Sequence, residues 1–254
     1  MLKNERQDAI VTLVDDQGAV TVKDVAQTLG VSEMTIRRDL EELATQGRVL
    51  RVHGGARSVA GERDHLVPRE FTHSEKHLLH EAAKAQVGAR AAELVAAGDT
   101  VFLGAGTTTE QVALSLLDVP LRVVTNSLSV FDIVRQRPNI DVCLIGGTYR
   151  PSTDAFVGSI AEQSVATLGV DKAFIGANGV LAEGVSTSNP EEGRFQALVL
   201  DSSAERYLVT DASKLGRRDF FTFYELGSFD GLVTDPSITE EQREELSVST
   251  RVLT

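Results

Sequence analysis

The sequence predicts an α/β protein in which a small winged helix-turn-helix domain precedes a mostly parallel α/β domain. Near the N-terminus, two short amphipathic segments are joined by a Gly-Val-Ser turn and followed by a basic Gly-Gly tip. From residue 99 onward, apolar runs that end in small polar turns alternate with segments suited to helices. Such alternation is typical of a parallel sheet covered by helices.

The first pair of predicted elements is a helix-turn-helix. Ile36, Leu40 and Leu43 recur at i, i+4 and i+7 and form one apolar stripe. The preceding segment, 20–30, predicts a shorter helix that ends at Gly30. In this motif the second helix enters the major groove, so we expect the partner to be double-stranded operator DNA.

The predicted DNA contacts lie away from the apolar stripe and on the basic tip that follows it. Arginine pairs with guanine and threonine contacts the thymine methyl group, while glycines let a wing approach phosphate. The alternative is that Arg37 and Arg38 only form surface ion pairs with Glu41 and Glu42. The residues predicted to contact DNA are Ser32, which also caps the helix, Met34, Thr35, Arg37, Arg38, Arg51, His53 and Arg57.

The net charge of −12 on the 254-residue chain disfavours DNA binding as a whole. The acidity is unevenly distributed: residues 1–57 hold 8 basic and 9 acidic side chains, and the remainder hold 17 and 28. The near-neutral first part predicts modest DNA affinity for a single chain. We therefore expect a homodimer or homotetramer.

The composition divides the chain into a DNA-binding domain at 3–58, a linker at 59–73 and a second domain at 74–254. The Ala-rich stretch 74–95 predicts one long helix. The single cysteine, Cys143, excludes an intrachain disulfide and lies in an apolar run that predicts a buried strand. There is neither a secretory signal nor an apolar run long enough for a membrane span, so we expect a cytoplasmic protein with no membrane partner.

Three histidines, His73, His77 and His80, fall on one face of the predicted long helix. His at i and i+4 is a known zinc-ligand spacing. No cysteine or further histidine is placed to complete the ligand set, so we expect a solvated helix face and no metal. The cluster could alternatively tune the helix near pH 6.5.

Five polar turns follow the predicted strands of the second domain and are expected to meet in one crevice at the carboxyl ends of the strands. The first, Gly104–Thr108, opens a helix and predicts a phosphate site at the helix N-terminus. Thr109 stands where a dinucleotide fingerprint needs its third glycine, and no Gly-Lys-Ser/Thr follows. We expect no cofactor and a small phosphorylated ligand.

Three further turns add candidate ligand contacts. Lys214 beside Asp211 suits phosphate and sugar hydroxyls, although Asp211 could equally be a cap. The turn from Gly147 to Arg150 is basic and rich in donors. Thr125-Asn126-Ser127 could contact the ligand or only cap the next helix.

These motifs resemble the DeoR family of bacterial transcriptional regulators along nearly the whole chain. The resemblance rests on TIRRDL, the HGGA tip, GAGTTT, VVTNSL, LIGGTYR, DKAFIGANG and LVTDASKLG. It implies a second domain with a fold like that of ribose-5-phosphate isomerase, which senses an effector and assembles subunits. It implies effector contacts at Gly106, Thr107, Thr108, Thr125, Asn126, Asp211 and Lys214, with Lys76 and Lys84 as further candidates, to which the turns add Gly104, Gly147 and Arg150.

The function that follows is a transcriptional regulator, expected to repress sugar-metabolism genes in response to a phosphorylated sugar. One departure from the family is Gln196, where members often carry a lysine, which implies a relocated or weaker anion site. The main alternative is a sugar-phosphate isomerase fused to a DNA-binding domain. We expect no catalysis, because the segment 171–179 lacks the acidic motif of those enzymes. A ligand-free architectural protein is a third possibility.

Overall fold

The computed structural model describes residues 3–17, 19–45, 48–52, 54–58, 71–116 and 119–254. The chain divides into two compact units, Met1–Pro68 and Arg69–Thr254. In the ranges just given, no helix is both long and apolar enough to cross a membrane.

The first unit is a winged helix-turn-helix. Three helices pack with a three-stranded antiparallel sheet in which β3 lies between β1 and β2. Both helices of the predicted motif are confirmed. The elements in chain order are α1 (Lys3–Gln17), β1 (Ala19–Thr21), α2 (Val22–Leu29), α3 (Glu33–Thr45), β2 (Leu50–Val52) and β3 (Gly55–Arg57).

Local chemistry explains where these elements begin and end. Thr21 caps α2 by accepting from the backbone N–H of Asp24, and Gly30 ends α2 in the left-handed region with φ of 65°. The α3 stripe is fully buried in the small core, as predicted. Gly55 has a packing reason that the sequence did not show: a Cβ there would lie 1.9 Å from the carbonyl oxygen of Val20 on β1.

The second unit contains a seven-stranded sheet of order β15-β14-β12-β9-β4-β5-β6. Every pairing in it is parallel, which confirms the mostly parallel α/β architecture. Its strands are β4 (Thr100–Leu103), β5 (Leu121–Thr125), β6 (Ile140–Leu144), β9 (Val170–Ile175), β12 (Ser203–Val209), β14 (Gly231–Val233) and β15 (Val252–Leu253).

Helices and two small antiparallel sheets surround these strands. One small sheet pairs β7 (Thr148–Arg150) with β8 (Ala155–Val157), and the other has the order β10 (Gly179–Leu181), β11 (Gly184–Thr187) and β13 (Phe221–Tyr224). The helices are α4 (His73–His77), α5 (Glu81–Ala92), α6 (Thr107–Ser115), α7 (Leu128–Val134), α8 (Ser159–Val165), α9 (Pro190–Asp201) and α10 (Glu240–Ser247).

The central strand β4 is buried on both faces of the parallel sheet, as its apolar run requires. Phe102 of β4 contacts Phe195 of α9 on one face, with ring centroids 6.0 Å apart. Its neighbours Val101 and Leu103 point to the other face, where α5 and α6 pack. Helices on the two faces therefore reach the same carboxyl edge from opposite sides.

Strand order identifies the place on that edge where a ligand fits. From β4 the chain first adds β5 and β6 on one side and then returns to place β9 on the other side of β4. Loops after β4 and β9 diverge at such a switch point and leave a crevice between them. The segments 104–106 and 176–178 border this crevice.

Two sequence-based expectations for this unit are wrong. The predicted helix over 74–95 is interrupted, because His80 adopts the left-handed conformation, φ 52° and ψ 36°, between α4 and α5. Cys143 is exposed rather than buried, and it lies on β6, the terminal strand of the sheet.

Candidate functional site

The exposed face of α3 carries most of the predicted DNA contacts. Met34 is 76 % exposed, and the side chains of Arg37 and Arg38 are 58 % and 82 % exposed. Ser32 caps the helix: its Oγ accepts a hydrogen bond from the backbone N–H of Thr35 at 3.3 Å. An exposed apolar side chain flanked by two guanidinium groups suits a major groove, which offers thymine methyl groups and guanine acceptors.

The ion pairs that Arg37 and Arg38 form are weak surface pairs. Arg38 Nε lies 3.7 Å from Glu42 Oε1, as the surface-pair alternative expected, while Arg37 pairs with Glu33 at 3.6 Å and not with Glu41. Exposed pairs of this kind contribute about 0–1 kcal/mol. Both guanidinium groups are therefore available to bind DNA.

The acid in the middle of the TIRRDL motif is neutralised inside the domain. Asp39 is buried, and its Oδ2 lies 2.6 Å from Arg6 Nε of α1. The carboxylate also accepts from the side-chain amide of Gln7. Its charge is thus paired internally rather than presented to a phosphate backbone.

The basic tip forms the predicted wing. Arg51 is exposed on β2 and donates from Nη1 to the carbonyl oxygen of Gly55, which braces the two short strands. Gly54, at the tip, has φ of 80°, a conformation that favours glycine. His53 lies outside the described residues, and so does the side chain of Arg57.

A pocket lies at the switch point of the second unit. It encloses a volume of about 760 Å³, part of it open to solvent, within the range typical of small-molecule sites. Seven of the predicted effector residues line it: Lys76, Lys84, Gly106, Thr107, Thr108, Asp211 and Lys214.

The loop after β4 brings the N-terminus of α6 to the pocket. Gly106, with φ of 146°, is the residue before α6, and Thr109 Oγ1 donates to the carbonyl oxygens of Gly104 and Gly106 at 2.6 and 2.7 Å. This side-chain clamp holds the turn in place. The first N–H groups of α6 have no acceptor within the helix and point toward the pocket end, where they favour a negative charge.

Lysines give the pocket its positive charge. Lys84 is buried, and its ammonium donates to the carbonyl oxygens of Lys76 and Leu79. Burial lowers the pKa of Lys84 to about 8, although the nearby carboxylate of Asp211 opposes the shift. Lys76 Nζ donates to Asn178 Oδ1 at 2.9 Å and so connects α4 to the loop after β9.

Asp211 also serves as a cap. Its side chain accepts from the backbone N–H of Ser213 at 3.1 Å and from the Ser213 hydroxyl, at the start of a 3₁₀ turn over Ala212–Lys214. The two interpretations weighed for Asp211 are compatible, because the capped turn is what holds Lys214 at the pocket wall.

Two predicted ligand residues direct their side chains into the protein interior and not into the pocket. Thr125 Oγ1 donates to the carbonyl oxygen of Leu103 at 2.7 Å, and Asn126 Nδ2 donates to that of Phe156 at 2.9 Å. Both side chains are buried outside the pocket lining. Their polar groups fasten the end of β5 to its neighbours.

Gly104, Gly147 and Arg150 also lie outside the pocket lining. A Cβ on Gly147 would lie 2.6 Å from the carbonyl oxygen of Val157, so this glycine allows the chain to pass close to β8. Arg150 Nη1 lies 3.2 Å from Glu192 Oε1 and neutralises the charge of that carboxylate from outside the pocket lining. The basic turn thus supports a pocket residue instead of lining the pocket.

Thr153 and Glu192 also line the pocket, although the sequence did not predict them there. Glu192 is held by the hydroxyl of Thr153 and by Arg150. Asn189 caps α9 by accepting from the N–H groups of Glu191 and Glu192. The Asn-Pro-Glu-Glu helix-start signal at 189–192 is the clue that could have placed Glu192 at a helix end near the crevice.

Two of the three histidines contact a carboxylate. His73 Nε2 contacts Glu110 Oε1, and His77 Nε2 lies 2.8 Å from Glu110 Oε2. The hydrogen bond to Glu110 raises the pKa of His73. The two imidazoles and the carboxylate are close enough to hold a metal ion, but the same contacts satisfy the buried Glu110 without one. The expected solvated face is therefore wrong for His73, which is largely covered.

Comparison with known proteins follows the same division of the chain. The profile described as a DeoR-like helix-turn-helix domain matches residues 6–61, and that of the DeoR C terminal sensor domain matches residues 79–236. The chain belongs to the DeoR family.

Relatives within the DeoR family are similar over their full length. A lactose phosphotransferase system repressor from Lactococcus lactis subsp. lactis is 39 % identical, with 100 % of this chain and 99 % of the relative covered. One of the same name from Streptococcus mutans is 38 % identical, with both chains fully covered. A third, from Staphylococcus epidermidis, is 38 % identical over 95 % of this chain and 96 % of the relative.

Solved structures similar to this family member include ribose 5-phosphate isomerases. The enzyme from Methanocaldococcus jannaschii matches 53 % of this chain and 54 % of its own, with a TM-score of 0.39 and 19 % identity. Isomerase A from Neisseria gonorrhoeae matches 59 % and 57 %, with a TM-score of 0.40 and 17 % identity.

Proposed function

We propose that this chain is a repressor of carbohydrate-metabolism genes whose binding to double-stranded operator DNA is modulated by a small phosphorylated sugar. The observation that carries this proposal is a pocket containing a helix N-terminus, Lys84 and Lys214 in the same chain as an exposed recognition helix. The names of its relatives, lactose phosphotransferase system repressors, support a target among genes of sugar uptake.

The DNA-binding half comprises residues 3–58, joined through 59–73 to an effector and assembly domain at 74–254. Arg37, Arg38 and Met34 contact base edges, while Ser32, Thr35 and the wing residues Arg51, His53 and Arg57 contact the backbone or flanking bases. The protein acts as a homodimer or homotetramer on DNA, and therefore in the cytoplasm.

The effector half binds the phosphate group with the N–H groups at the start of α6 and with Lys84 and Lys214. Asp211 and Glu192 are acceptors in the same pocket and suit sugar hydroxyl groups. Lys76 and Lys84 come from α4 and α5, the first elements after the linker. A ligand that contacts both helices differs in affinity between their possible arrangements, which is the requirement for a switch.

A pair of substitutions tests whether DNA binding and ligand binding reside in separate domains. Arg38→Ala is expected to weaken binding to operator DNA about 10-fold to 100-fold, because a bidentate base contact is lost, without changing ligand binding. Lys214→Ala is expected to do the reverse. Operator DNA is selected from a random duplex library with the full chain, and anisotropy then measures its binding.

Ligand binding is measured by thermal shift with galactose 6-phosphate, fructose 6-phosphate and inorganic phosphate. Arg122→Ala is the control, since the Arg122 side chain is also exposed and forms a surface pair with Asp141. Loss of both activities in both variants would contradict the proposal.

We propose a regulator without isomerase activity. Asp171 accepts from the backbone N–H of Thr100 at the amino-terminal end of β9, whereas the pocket lies at the carboxyl end. The carboxylates of Glu192 and Asp211 are engaged by Arg150 and Ser213. Measurable turnover of ribose 5-phosphate by the purified chain would favour the enzyme alternative.

A further inference from the structure

Gln196 is a pocket residue whose acceptor has no partner. It lies on α9, 9 % exposed, in the pocket wall. Among the described residues, its Oε1 is one of very few buried side-chain oxygens without a hydrogen bond. Buried polar atoms nearly always find a partner, so an orphaned acceptor on a side chain that lines a pocket points to a donor supplied by a ligand.

The surrounding residues show why no protein group fills this role. Phe195 and Val199 anchor α9 in the apolar core, so packing, not polar contact, holds Gln196 in place. Glu192, one helical turn earlier, takes the donors of Arg150 and Thr153 for itself. Gln196 therefore lines the pocket with an Oε1 that no protein donor contacts.

The pocket walls differ in the chemistry that they offer. Lys84 and the N-terminus of α6 belong to helices that pack on one face of the sheet. Glu192 and Gln196 belong to α9, which packs on the opposite face. The first wall attracts an anion, and the second offers acceptors to a hydroxyl group. A ligand that satisfies both walls has a phosphate at one end and free hydroxyl groups at the other.

We propose that Gln196 determines effector specificity by accepting a hydrogen bond from a hydroxyl group of the phosphorylated sugar, at a carbon remote from the phosphate. This inference rests on the proposed sugar-phosphate function and deepens it. The uncharged amide adds no positive charge to this wall, and the neighbouring carboxylate of Glu192 disfavours a second anionic group. The preferred ligand is therefore a sugar monophosphate and not a bisphosphate or a phosphorylated sugar acid.

The decisive variant is Gln196→Leu, studied in the full chain by calorimetry. The probes are a panel of hexose 6-phosphates, the deoxy analogues of the tightest binder, and inorganic phosphate. We expect the variant to bind that hexose 6-phosphate about 10-fold to 100-fold more weakly, because a buried acceptor for its hydroxyl is gone. Its affinity for inorganic phosphate is expected to stay within about twofold, since that anion uses the other wall.

The deoxy analogues locate the hydroxyl group. One analogue is expected to bind the wild-type protein about tenfold more weakly than the parent sugar, yet to bind Gln196→Leu as well as the parent sugar does. The hydroxyl group that this analogue lacks is the one that Gln196 binds. Gln196→Lys is expected to shift the preference toward hexose bisphosphates. Gln163→Leu, an exposed glutamine on α8, is the matched control and is expected to bind every probe as the wild type does.

Thermal stability provides a readout that needs no ligand. Without ligand, Gln196→Leu is expected to melt at a higher temperature than the wild type, because it removes an unsatisfied buried polar group. A lower melting temperature together with unchanged binding would assign Gln196 to the core and overturn the proposal. A wild-type chain that binds a hexose 6-phosphate no better than Gln196→Leu overturns this inference alone. A wild-type chain that binds no sugar phosphate overturns both this inference and the proposed function.

Discussion

Lys84 is a buried cation held by backbone carbonyls rather than by a carboxylate at contact distance. Its ammonium donates to the carbonyl oxygens of Lys76, in α4, and of Leu79, in the short segment between α4 and α5. Desolvation lowers the pKa of Lys84 to about 8. The pocket therefore contains a lysine whose pKa lies close to physiological pH.

This arrangement predicts proton uptake when a phosphorylated ligand binds. Near pH 8 about half of the unligated chains carry a neutral Lys84, since the pKa is about 8 against an ordinary 10.5. A phosphate dianion favours the charged form and raises this pKa, and the phosphate, with its own second pKa of about 6, is already fully ionised. Binding at pH 8 should thus take up about half a proton.

Calorimetry with galactose 6-phosphate in buffers of different ionisation enthalpy measures this uptake. Lys84→Met is the comparison, and it should bind more weakly and take up no proton. Proton release, or equal uptake by both proteins, would show that Lys84 does not face the phosphate.

At the residue scale, the sequence predicted one part of the pocket and missed another. The rule that ligands lie beyond strand ends selected Gly106 and Lys214 correctly as lining residues. It failed for Thr125, because strand position does not reveal whether a side chain turns outward or bonds to its own neighbours. It missed Glu192, since that residue lies on a helix that reaches the crevice only through tertiary packing.

At the element scale, the break at His80 shows how contacts override periodicity. Apolar spacing and alanine content continue through 74–95 and predict one helix. In the structure, Thr72 starts α4 with a capping box, and the α4 histidines contact Glu110 of α6. The residues in those contacts lie far apart in sequence, so no local pattern could have predicted the break. Five strands of the parallel sheet, β4, β5, β6, β9 and β12, are predictable by contrast, because each contains a short apolar run that ends in turn residues; β14 and β15 were not predicted.

The packing of α5 against α6 makes Gly88 indispensable. A Cβ at this position would lie 2.5 Å from the carbonyl carbon and oxygen of Gln111 on α6. Gly88→Ala gains about 1 kcal/mol of helix propensity, but backbone atoms cannot move aside cheaply, and overpacking costs about 1–3 kcal/mol. We expect net destabilisation of the second unit.

Urea unfolding of the full chain measures the effect of Gly88→Ala. The matched control is Gly169→Ala, because a Cβ on Gly169 meets no atom within 4 Å. The control should change the free energy of unfolding by less than about 0.5 kcal/mol. Equal unfolding midpoints for the two variants would mean that α5 and α6 are less closely packed than the structure shows.

At the scale of the whole molecule, charge and DNA binding are divided between the two units. Residues 1–57 are near neutral, and the remaining residues carry most of the net charge of −12. We therefore expect the attraction to DNA to come from the local cluster on α3 and the wing. Such a small cluster is expected to make few phosphate contacts and to bind weakly unless two copies engage one duplex.

The prediction at this scale concerns operator geometry. A duplex with two half-sites should bind at least about 10-fold more tightly than one with a single half-site, because the second contact is intramolecular. Adding about 5 base pairs between the half-sites should remove the gain by placing them on opposite faces of the helix. Fluorescence anisotropy over a salt series measures both effects. Equal affinity for one and two half-sites, or no weakening with salt, would contradict this view.

The position of Gln196 has a consequence for how such regulators diversify. Its neighbours Phe195 and Val199 are buried in the apolar core, while Gln196 lines the pocket. If Gln196 contacts the ligand as proposed, a mutation at this position changes ligand preference and leaves the apolar layers unchanged. Such a position would allow related regulators to acquire new ligands through one codon.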